Sequence, residues 1–232
     1  MKTYEKLRDQ VLERDVREVL ANDRRLAHLQ LAVQVDGGVL HVQGEVGSVE
    51  EARRLRRALA RVTGILAVWD LVRLPGQEDL RVIDIGCGAT KQKTYAFGID
   101  RVPTGAVDVV TDLEQAVPLA TASVDHVFAV HVLEHVLDVF CLLEEIHRVL
   151  KPTGVLHVMV PEWRHPNAVA DPTHLRFFGP ETFRHFCEPR NGSRPFEPVA
   201  LNTTADTVFA DLEPVHDEHS VPYDEVVARF FA

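Results

Sequence analysis

The sequence predicts an α/β protein in two parts: a small αββαβ unit, followed by a doubly wound, mostly parallel sheet. Short apolar strands bounded by glycine turns alternate with amphipathic segments along the chain. The charge changes near Gly76, since residues 1–76 contain 13 Lys and Arg against 11 Asp and Glu, whereas residues 77–232 are strongly acidic. Hydrophobic residues make up 46% of the 232-residue chain, which is enough for a packed core.

The first part begins with a predicted helix over residues 5–22, where apolar side chains recur at helical spacing. Alternating apolar residues then predict two strands, 31–35 and 39–43, joined by a turn at Asp36-Gly37-Gly38. Ser48 followed by Glu51 is the signature of a capping box and predicts a second helix. The segment ILAVWDLVRL predicts a third strand, which completes the unit.

Residues 8–74 resemble the BON domain, a small αββαβ module of bacterial envelope and stress proteins. The resemblance rests on NDRRLAHLQLAVQVDGGVLHVQGEV and VTGILAVWDLV. It implies an interaction domain over residues 1–75, of a kind often credited with binding phospholipid surfaces. The predicted second helix carries five arginines, Arg53, Arg54, Arg56, Arg57 and Arg61. Two interpretations stay open: this face docks on an anionic membrane, or it is a solvated face that nearby glutamates partly neutralise.

The second part opens with a predicted strand at residues 81–85, which runs directly into Gly86-Cys87-Gly88. Glycines after a strand let the backbone turn tightly and approach a ligand closely. A helix is predicted from His135 to Val149, followed by a turn at residues 151–154. Further strands are predicted at 95–100, 107–110, 123–130, 155–160, 196–202 and 207–212. This order predicts a parallel sheet with an antiparallel final hairpin, and ligands at the carboxyl ends of its strands.

Five ordered motifs make residues 79–190 similar to the class I S-adenosylmethionine-dependent methyltransferases, and to their compact type 11-like branch. The motifs are DIGCG, GID, TDLE, SVDHVFAVHVLEH and RVLKPTG. The resemblance implies a Rossmann-like methyltransferase domain over residues 76–212 and S-adenosylmethionine as its cofactor. Residues 213–232 are then expected to form an acidic tail with a short helix from Asp224.

The resemblance also implies roles for individual residues toward the cofactor. Asp84, Gly86, Cys87 and Gly88 match the glycine loop that faces the methionyl group. Asp100 matches the acid that binds the ribose. Asp112 and Leu113 match the pair that contacts the adenine, and His131 matches the position that borders the transferred methyl. Only eleven residues separate Gly88 from Asp100, so the usual first helix has almost no room, and we expect Lys91 in the connecting loop to reach the cofactor carboxylate.

The candidate catalytic residues are two histidines and an aspartate. Methyl transfer to oxygen or nitrogen releases a proton, and histidine accepts a proton near neutral pH. His131 and His174 are the candidate bases, and Asp171, in the motif DPTH, is expected to orient one of them. For His174 the alternative is that it only holds its loop together. His131 and His135 also fit a zinc-hydrolase pattern, but a third ligand is not evident from the sequence, so no metal is expected.

The acidic second part makes nucleic acid a poor partner, because it repels phosphates. No apolar run is long enough to span a membrane and no secretion leader is visible, so the expected compartment is the cytoplasm. The expected acceptor is a small or lipid-linked molecule. The tail is expected to dock on this chain or on a second copy, as in a homodimer. The alternative function is a binding or scaffold protein that keeps the methyltransferase fold without turnover.

Overall fold

A computed structural model describes residues 2–77, 79–189, 196–216 and 222–231. The chain divides into two compact units, Met1–Leu80 and Arg81–Ala232. In the described ranges, no helix has both the length and the apolar character that a membrane span requires.

The first unit is a three-stranded sheet with two helices. Its strands lie in the order β1-β2-β3, with β1 antiparallel and β3 parallel to β2. The elements are α1 (Lys2–Asn22), β1 (Leu31–Asp36), β2 (Val39–Glu45), α2 (Val49–Leu59) and β3 (Ala67–Arg73). This is the element order that the sequence predicts. Side chains alternate between the two faces of β1 and β2, and Val33, Leu40 and Val42 lie in the core.

Hydrogen bonds from backbone nitrogens to two side chains, Asp9 and Ser48, fix the turns of the first unit. Asp9 on α1 accepts hydrogen bonds from the backbone nitrogens of Gly37 and Gly38, which joins the hairpin turn to the helix. Ser48 caps α2, and its side chain accepts from the nitrogen of Glu51 at 3.2 Å. The Glu51 carboxylate accepts from Gly47 rather than from Ser48 itself, so the predicted box is shifted by one residue.

The arginine face of α2 is not uniformly exposed, which corrects the sequence-based description of it. Nε of Arg56 donates to Oδ2 of Asp70 at 2.8 Å, and both side chains are buried. Arg53, Arg54 and Arg57 are half-buried, whereas Arg61 is exposed. The arginine face is therefore not fully solvated, and it does not present five exposed cations to a membrane.

The second unit contains a seven-stranded sheet in the order β6-β5-β4-β7-β8-β10-β9. The strands from β6 to β8 are parallel, and β10 is antiparallel to both of its neighbours. The predicted fold class, a doubly wound and mostly parallel sheet after a small αββαβ unit, is confirmed. The strands are β4 (Val82–Ile85), β5 (Phe97–Asp100), β6 (Val109–Val110), β7 (Val124–Val130), β8 (Leu150–Pro161), β9 (Phe196–Thr203) and β10 (Thr207–Pro214).

The described residues of this unit also form four α-helices, α3 (Val139–Val149), α4 (Pro166–Ala170), α5 (Pro180–Cys187) and α6 (Tyr223–Phe230). Helix α3 lies against the sheet through a stripe of buried apolar residues that includes Leu142 and Ile146. Val226 of α6 and Phe231 after it are buried in the same core. The terminal apolar residues thus pack within the second unit.

Three local predictions in the second unit are wrong. Residues 151–154 are not a turn but part of the long strand β8, because Leu150 already pairs with Val124. The predicted helix from His135 begins four residues later, at Val139, because Asp138 accepts from the nitrogen of Cys141 and caps it there. Residues Leu133–His135 instead form a separate 3-10 turn. Strand β6 has only two residues, and not four.

The connection from β4 to β5 contains no helix, as the spacing predicts. The chain crosses residues 86–96 in a series of turns and enters β5 beside β4. The glycines after β4 lie beside the carboxyl end of β5, since the nitrogen of Gly86 donates to the carbonyl oxygen of Ile99 and that of Gly88 to the Asp100 carboxylate.

Candidate functional site

The carboxyl ends of β4, β5 and β6 surround a cavity of about 410 Å³, here called the cofactor cavity. Loops at this edge of a parallel sheet are the usual ligand-binding positions, because the crossovers leave a crevice there. Six of the residues predicted to bind the cofactor line it: Gly86, Gly88, Asp100, Asp112, Leu113 and His131. Its other lining residues were not predicted to bind the cofactor: Arg101, Val102, Thr104, Glu114, Val132, His135, Val136 and Thr173.

The two glycines after β4 are required for different reasons. Both have left-handed backbones, with φ of 62° at Gly86 and 56° at Gly88. A Cβ at Gly86 would lie 2.5 Å from Cγ2 of Val132, so a side chain there collides with the protein. A Cβ at Gly88 would meet no atom within 4 Å, so this residue leaves open space at the cavity wall.

Asp100 and Asp112 occupy the ends of β5 and β6. The buried Asp100 carboxylate accepts hydrogen bonds from the nitrogens of Gly88 and Val102, both at 2.8 Å. These bonds hold the carboxylate at the cavity wall, where its remaining lone pairs can accept from ligand hydroxyls. Asp112 accepts from the nitrogen of Glu114 at 3.1 Å, which fixes the short turn after β6.

Asp84, Cys87 and Lys91 are also predicted cofactor residues, but they do not line the cavity. Asp84 is buried and accepts from the nitrogen of Gln92 at 2.6 Å. Burial raises the pKa of Asp84 from 3.8 to about 6. Cys87 is buried against the backbone, and burial raises the pKa of its thiol.

Lys91 lies away from the cavity because a closer partner holds it. Its Nζ is 2.5 Å from Oδ2 of Asp108, whose pKa is lowered by this contact. The same carboxylate oxygen also accepts from the nitrogen of Gly98. Asp84 therefore bonds to the loop between β4 and β5 and Lys91 pairs with Asp108, and neither residue lines the cofactor cavity.

A second cavity of about 740 Å³, here called the acceptor cavity, adjoins the first. His131 and His135 line both cavities. Most of the lining groups are polar, and they come from the β7 loop, the α4 region and the β9–β10 hairpin. The residues are His131, Glu134, His135, Pro161, Asn167, Ala170, Asp171, Pro172, His174, Asp206 and Thr207.

His131 follows β7 with a left-handed backbone, φ 55°, which is uncommon for a residue with a Cβ. Its Nδ1 lies 3.2 Å from Oε1 of Glu134, while half of its side chain remains exposed. The Glu134 carboxylate is buried, and its Oε2 has no hydrogen-bond partner in the described chain. No local sequence pattern predicts this orphaned oxygen, because it depends on how distant segments pack around Glu134.

His174 and Asp171 lie together in the loop after α4, where the backbone nitrogen of His174 donates to the carbonyl oxygen of Asp171 at 3.2 Å, but no hydrogen bond joins their side chains. Nε2 of His174 is 3.9 Å from Oδ2 of Asp171, while its Nδ1 bonds to the carbonyl oxygen of Ala168 at 2.8 Å. Hydrogen bonds from the hydroxyl and the nitrogen of Thr173 lower the pKa of Asp171. The three candidate catalytic residues, His131, His174 and Asp171, thus all line the acceptor cavity.

The sequence matches two known domain families. Residues 83–158 match the family described as a methyltransferase domain, and residues 8–76 match the BON domain. No curated protein matches the sequence. The two matches fall on the two compact units of the structure.

Solved methyltransferase structures are similar to the second unit. A chain in the complex between the Haloferax volcanii Trm112 methyltransferase activator and its methyltransferase partner is 20% identical over 62% of this chain and 86% of its own, with a TM-score of 0.48. A SAM-dependent methyltransferase from Aquifex aeolicus is 17% identical over 59% and 82%, with a TM-score of 0.46. One from Methanosarcina mazei is 19% identical over 60% and 95%, with a TM-score of 0.44. The two family matches, and not these structural similarities, show a methyltransferase domain over residues 83–158, with S-adenosylmethionine as its implied cofactor, and a BON domain over residues 8–76.

Proposed function

We propose that this protein transfers a methyl group from S-adenosylmethionine to a polar small molecule, or to the polar head of a lipid-linked one. The observation that carries the proposal is the junction of two cavities at His131 and His135. One cavity has the glycine loop and the acids expected for the cofactor. The other has the hydrogen-bonding groups that a polar acceptor needs.

The residues of the cofactor cavity fit S-adenosylmethionine. Gly88 leaves space that a Cβ would fill, and the buried Asp100 carboxylate stands at the end of β5, where a ribose is held in this class of sheet. Asp112 and Leu113 would face the adenine. When bound, S-adenosylmethionine supplies an electrophilic methyl group on a sulfonium.

His131 is the proposed proton acceptor. An acceptor hydroxyl or amine loses a proton as its oxygen or nitrogen gains the methyl, and a base within reach speeds this step by about 10²–10⁴-fold. The contact from Nδ1 of His131 to Glu134 leaves Nε2 to receive that proton. His174, whose ring lies 4.7 Å from that of His135, and Asp171 are proposed to position the acceptor.

A scaffold protein without turnover is the second candidate function. It is favoured by the missing helix between β4 and β5, which leaves the cofactor cavity walled on that side by a loop. The BON domain is proposed as a docking module. A membrane role for it would rest on Arg54 and Arg61 first, because Arg56 is buried against Asp70.

Calorimetry with S-adenosylmethionine and its demethylated product tests the cofactor site. We expect the wild type to bind both, and Asp100→Asn to weaken binding by at least about tenfold, because bonds to a charged group are worth roughly 1.5–3 kcal/mol. Glu144→Gln, an exposed carboxylate on α3, is the matched control and should bind normally. Unchanged affinity in Asp100→Asn contradicts the cofactor assignment.

A transfer assay separates the enzyme from the scaffold. Labelled S-adenosylmethionine is incubated with the full chain and with panels of hydroxylated, amine-bearing and lipid-linked molecules. Label that appears in one class, and is lost in Asp100→Asn, supports the enzyme. Cofactor binding without transfer to any panel supports the scaffold.

A further inference from the structure

We propose that Glu134, His135 and His174 bind a divalent transition-metal ion at the wall of the acceptor cavity. Each offers one ligand atom, and these three atoms lie within 4.8 Å of one another. Two of the residues come from the 3-10 turn after β7, and the third comes from the loop after α4, 39 positions further on than His135. The proposed site keeps His135 of the sequence pattern, but Glu134 and His174 are its other two ligands, in place of His131.

Both histidine rings are held through Nδ1, and this leaves Nε2 of each as the ligand atom. Nδ1 of His174 is 2.8 Å from the carbonyl oxygen of Ala168, which can only accept. Nδ1 of His135 lies 3.2 Å from the carbonyl oxygen and 3.0 Å from the hydroxyl oxygen of Thr173. That hydroxyl donates to Asp171 at 2.7 Å, so it accepts from His135. Nδ1–H bonded to a carbonyl is the arrangement that orients metal-binding histidines.

The third proposed ligand is the Glu134 carboxylate, which is buried and has one oxygen that makes no hydrogen bond to the described residues. The Glu134 side chain is 1% exposed, its Oε1 faces His131, and its Oε2 has no hydrogen-bond partner among the described residues. A buried polar atom without a partner costs roughly 1–3 kcal/mol, and more when the group is charged. A cation at Oε2 removes this cost, which makes the orphaned oxygen evidence for a ligand independent of the histidines.

The donor set selects the class of ion. Two imidazole nitrogens and one carboxylate oxygen suit zinc, iron, cobalt or manganese, whereas calcium and magnesium prefer oxygen alone. Three protein ligands leave coordination positions open. All three residues line the acceptor cavity, so the open positions face the space where an acceptor would lie.

The ion would narrow the acceptor class, and this consequence rests on the proposed function. A metal-bound hydroxyl oxygen is more acidic than a free one, because the cation stabilises the oxyanion. The acceptor would then be a molecule with a metal-binding hydroxyl, methylated on oxygen, and its proton would pass to His131. Amines that lack such an oxygen would be poor acceptors.

Cobalt and zinc are the probes for a binding test on the full chain. We expect calorimetry to show one zinc ion per chain, and cobalt to give a visible absorption band that depends on the same residues. Glu134→Gln and His174→Gln should each weaken zinc binding by at least about tenfold. His185→Gln is the matched control, since the exposed His185 pairs with Glu188 outside the cavity and its loss should leave binding unchanged.

A second measurement needs no variant. Zinc is expected to protect His135 and His174 of the wild type from acylation by diethylpyrocarbonate, read by peptide mass spectrometry, while His185 stays reactive. Binding that is unchanged in both variants, or histidines that zinc does not protect, overturns the proposal. S-adenosylmethionine binding is measured in the same samples, so a failed metal site is distinguishable from a failed cofactor site.

Discussion

Nδ1 of His131 lies 3.2 Å from Oε1 of Glu134, a carboxylate that is almost completely buried. His131 reaches this contact only with a left-handed backbone, at φ 55°. Such a conformation costs about 1–2 kcal/mol for a residue with a Cβ. Strain of this kind persists at functional sites because the surrounding structure enforces it. The pair therefore links the end of β7 to both cavities.

Substitutions at His131 should separate stability from turnover. We expect His131→Gly to unfold with a free energy about 1 kcal/mol higher than that of His131→Ala, because only glycine is unstrained at this φ. Both variants should lose turnover by about 10²–10⁴-fold with S-adenosylmethionine binding retained. Denaturant unfolding and the transfer assay measure the two effects.

Ala122 is the control for that experiment, since its φ of 50° is equally left-handed and it lies outside both cavities. Ala122→Gly should also raise the free energy of unfolding by about 1 kcal/mol, and turnover should stay unchanged. Full turnover in His131→Ala would exclude His131 as the proton acceptor.

The glycine loop predicts unequal effects of two alanine substitutions. Gly86→Ala and Gly88→Ala both introduce strain of about 1–2 kcal/mol, because both positions are left-handed. Gly86→Ala should lower the free energy of unfolding by roughly a further 1–3 kcal/mol, because its Cβ collides with Val132. Thermal or urea unfolding measures this difference.

Val132→Ala tests the cause of that difference, because it removes the colliding methyl groups. In the Val132→Ala background the two glycine variants should become similar in stability. We expect Gly88→Ala, in contrast, to weaken S-adenosylmethionine binding more than it weakens the fold, since its Cβ enters open space at the cavity wall. Equal stability of the two single variants would contradict the steric argument.

Asp84 should make stability depend on pH between about 4 and 6. Its folded pKa of about 6 lies above the ordinary 3.8, so in this range the folded chain holds a proton that the unfolded chain releases. The free energy of unfolding therefore falls as pH rises through this window. The penalty above pH 6 is roughly 2–3 kcal/mol.

Asp84→Asn removes this titration while it keeps an oxygen that accepts from Gln92. Relative to the wild type, the variant should gain stability progressively from pH 4 to 6, and keep that gain at pH 7. Urea unfolding at several pH values measures it. A difference that stays flat across the range would show that Asp84 has an ordinary pKa.

The three cysteines should differ in reactivity. Cys87 and Cys187 are buried, whereas Cys141 is exposed at the start of α3. A thiol reagent should therefore modify Cys141 fast in the folded chain and the other two slowly. Cys141→Ser removes the fast phase, and two fast phases in the wild type would contradict the burial of Cys87 or Cys187.

Much of the fold followed from short-range patterns. The hairpin around Gly37 and the helix capped by Ser48 are local structures, set by backbone freedom and by a single side-chain bond. The absence of a helix between β4 and β5 followed from chain length alone. The helix start at Val139 was missed, although the Asp138 side chain that caps it accepts from a nitrogen only three residues further along the chain.

Most of the candidate cofactor residues could also be predicted from the sequence. Gly86, Gly88, Asp100 and Asp112 each follow a strand, and the carboxyl ends of parallel strands meet at one edge of the sheet. Lys91 was expected to face the cofactor, but the structure places it on Asp108, because a charge pairs with the nearest opposite charge that the folded loop brings to it. Spacing along the chain does not reveal that neighbour.

The sequence by itself determined the two-part architecture, the glycine loop and the acids at the strand ends, because periodicity, turn chemistry and motif order are local properties. Only the tertiary structure decided which polar groups meet. It buried Arg56 against Asp70, and it brought His174 beside Glu134 and His135 from a loop of its own. It also left one oxygen of Glu134 without a hydrogen-bond partner in the part of the chain that the structure describes. These contacts depend on the packing of distant segments, which no local pattern encodes.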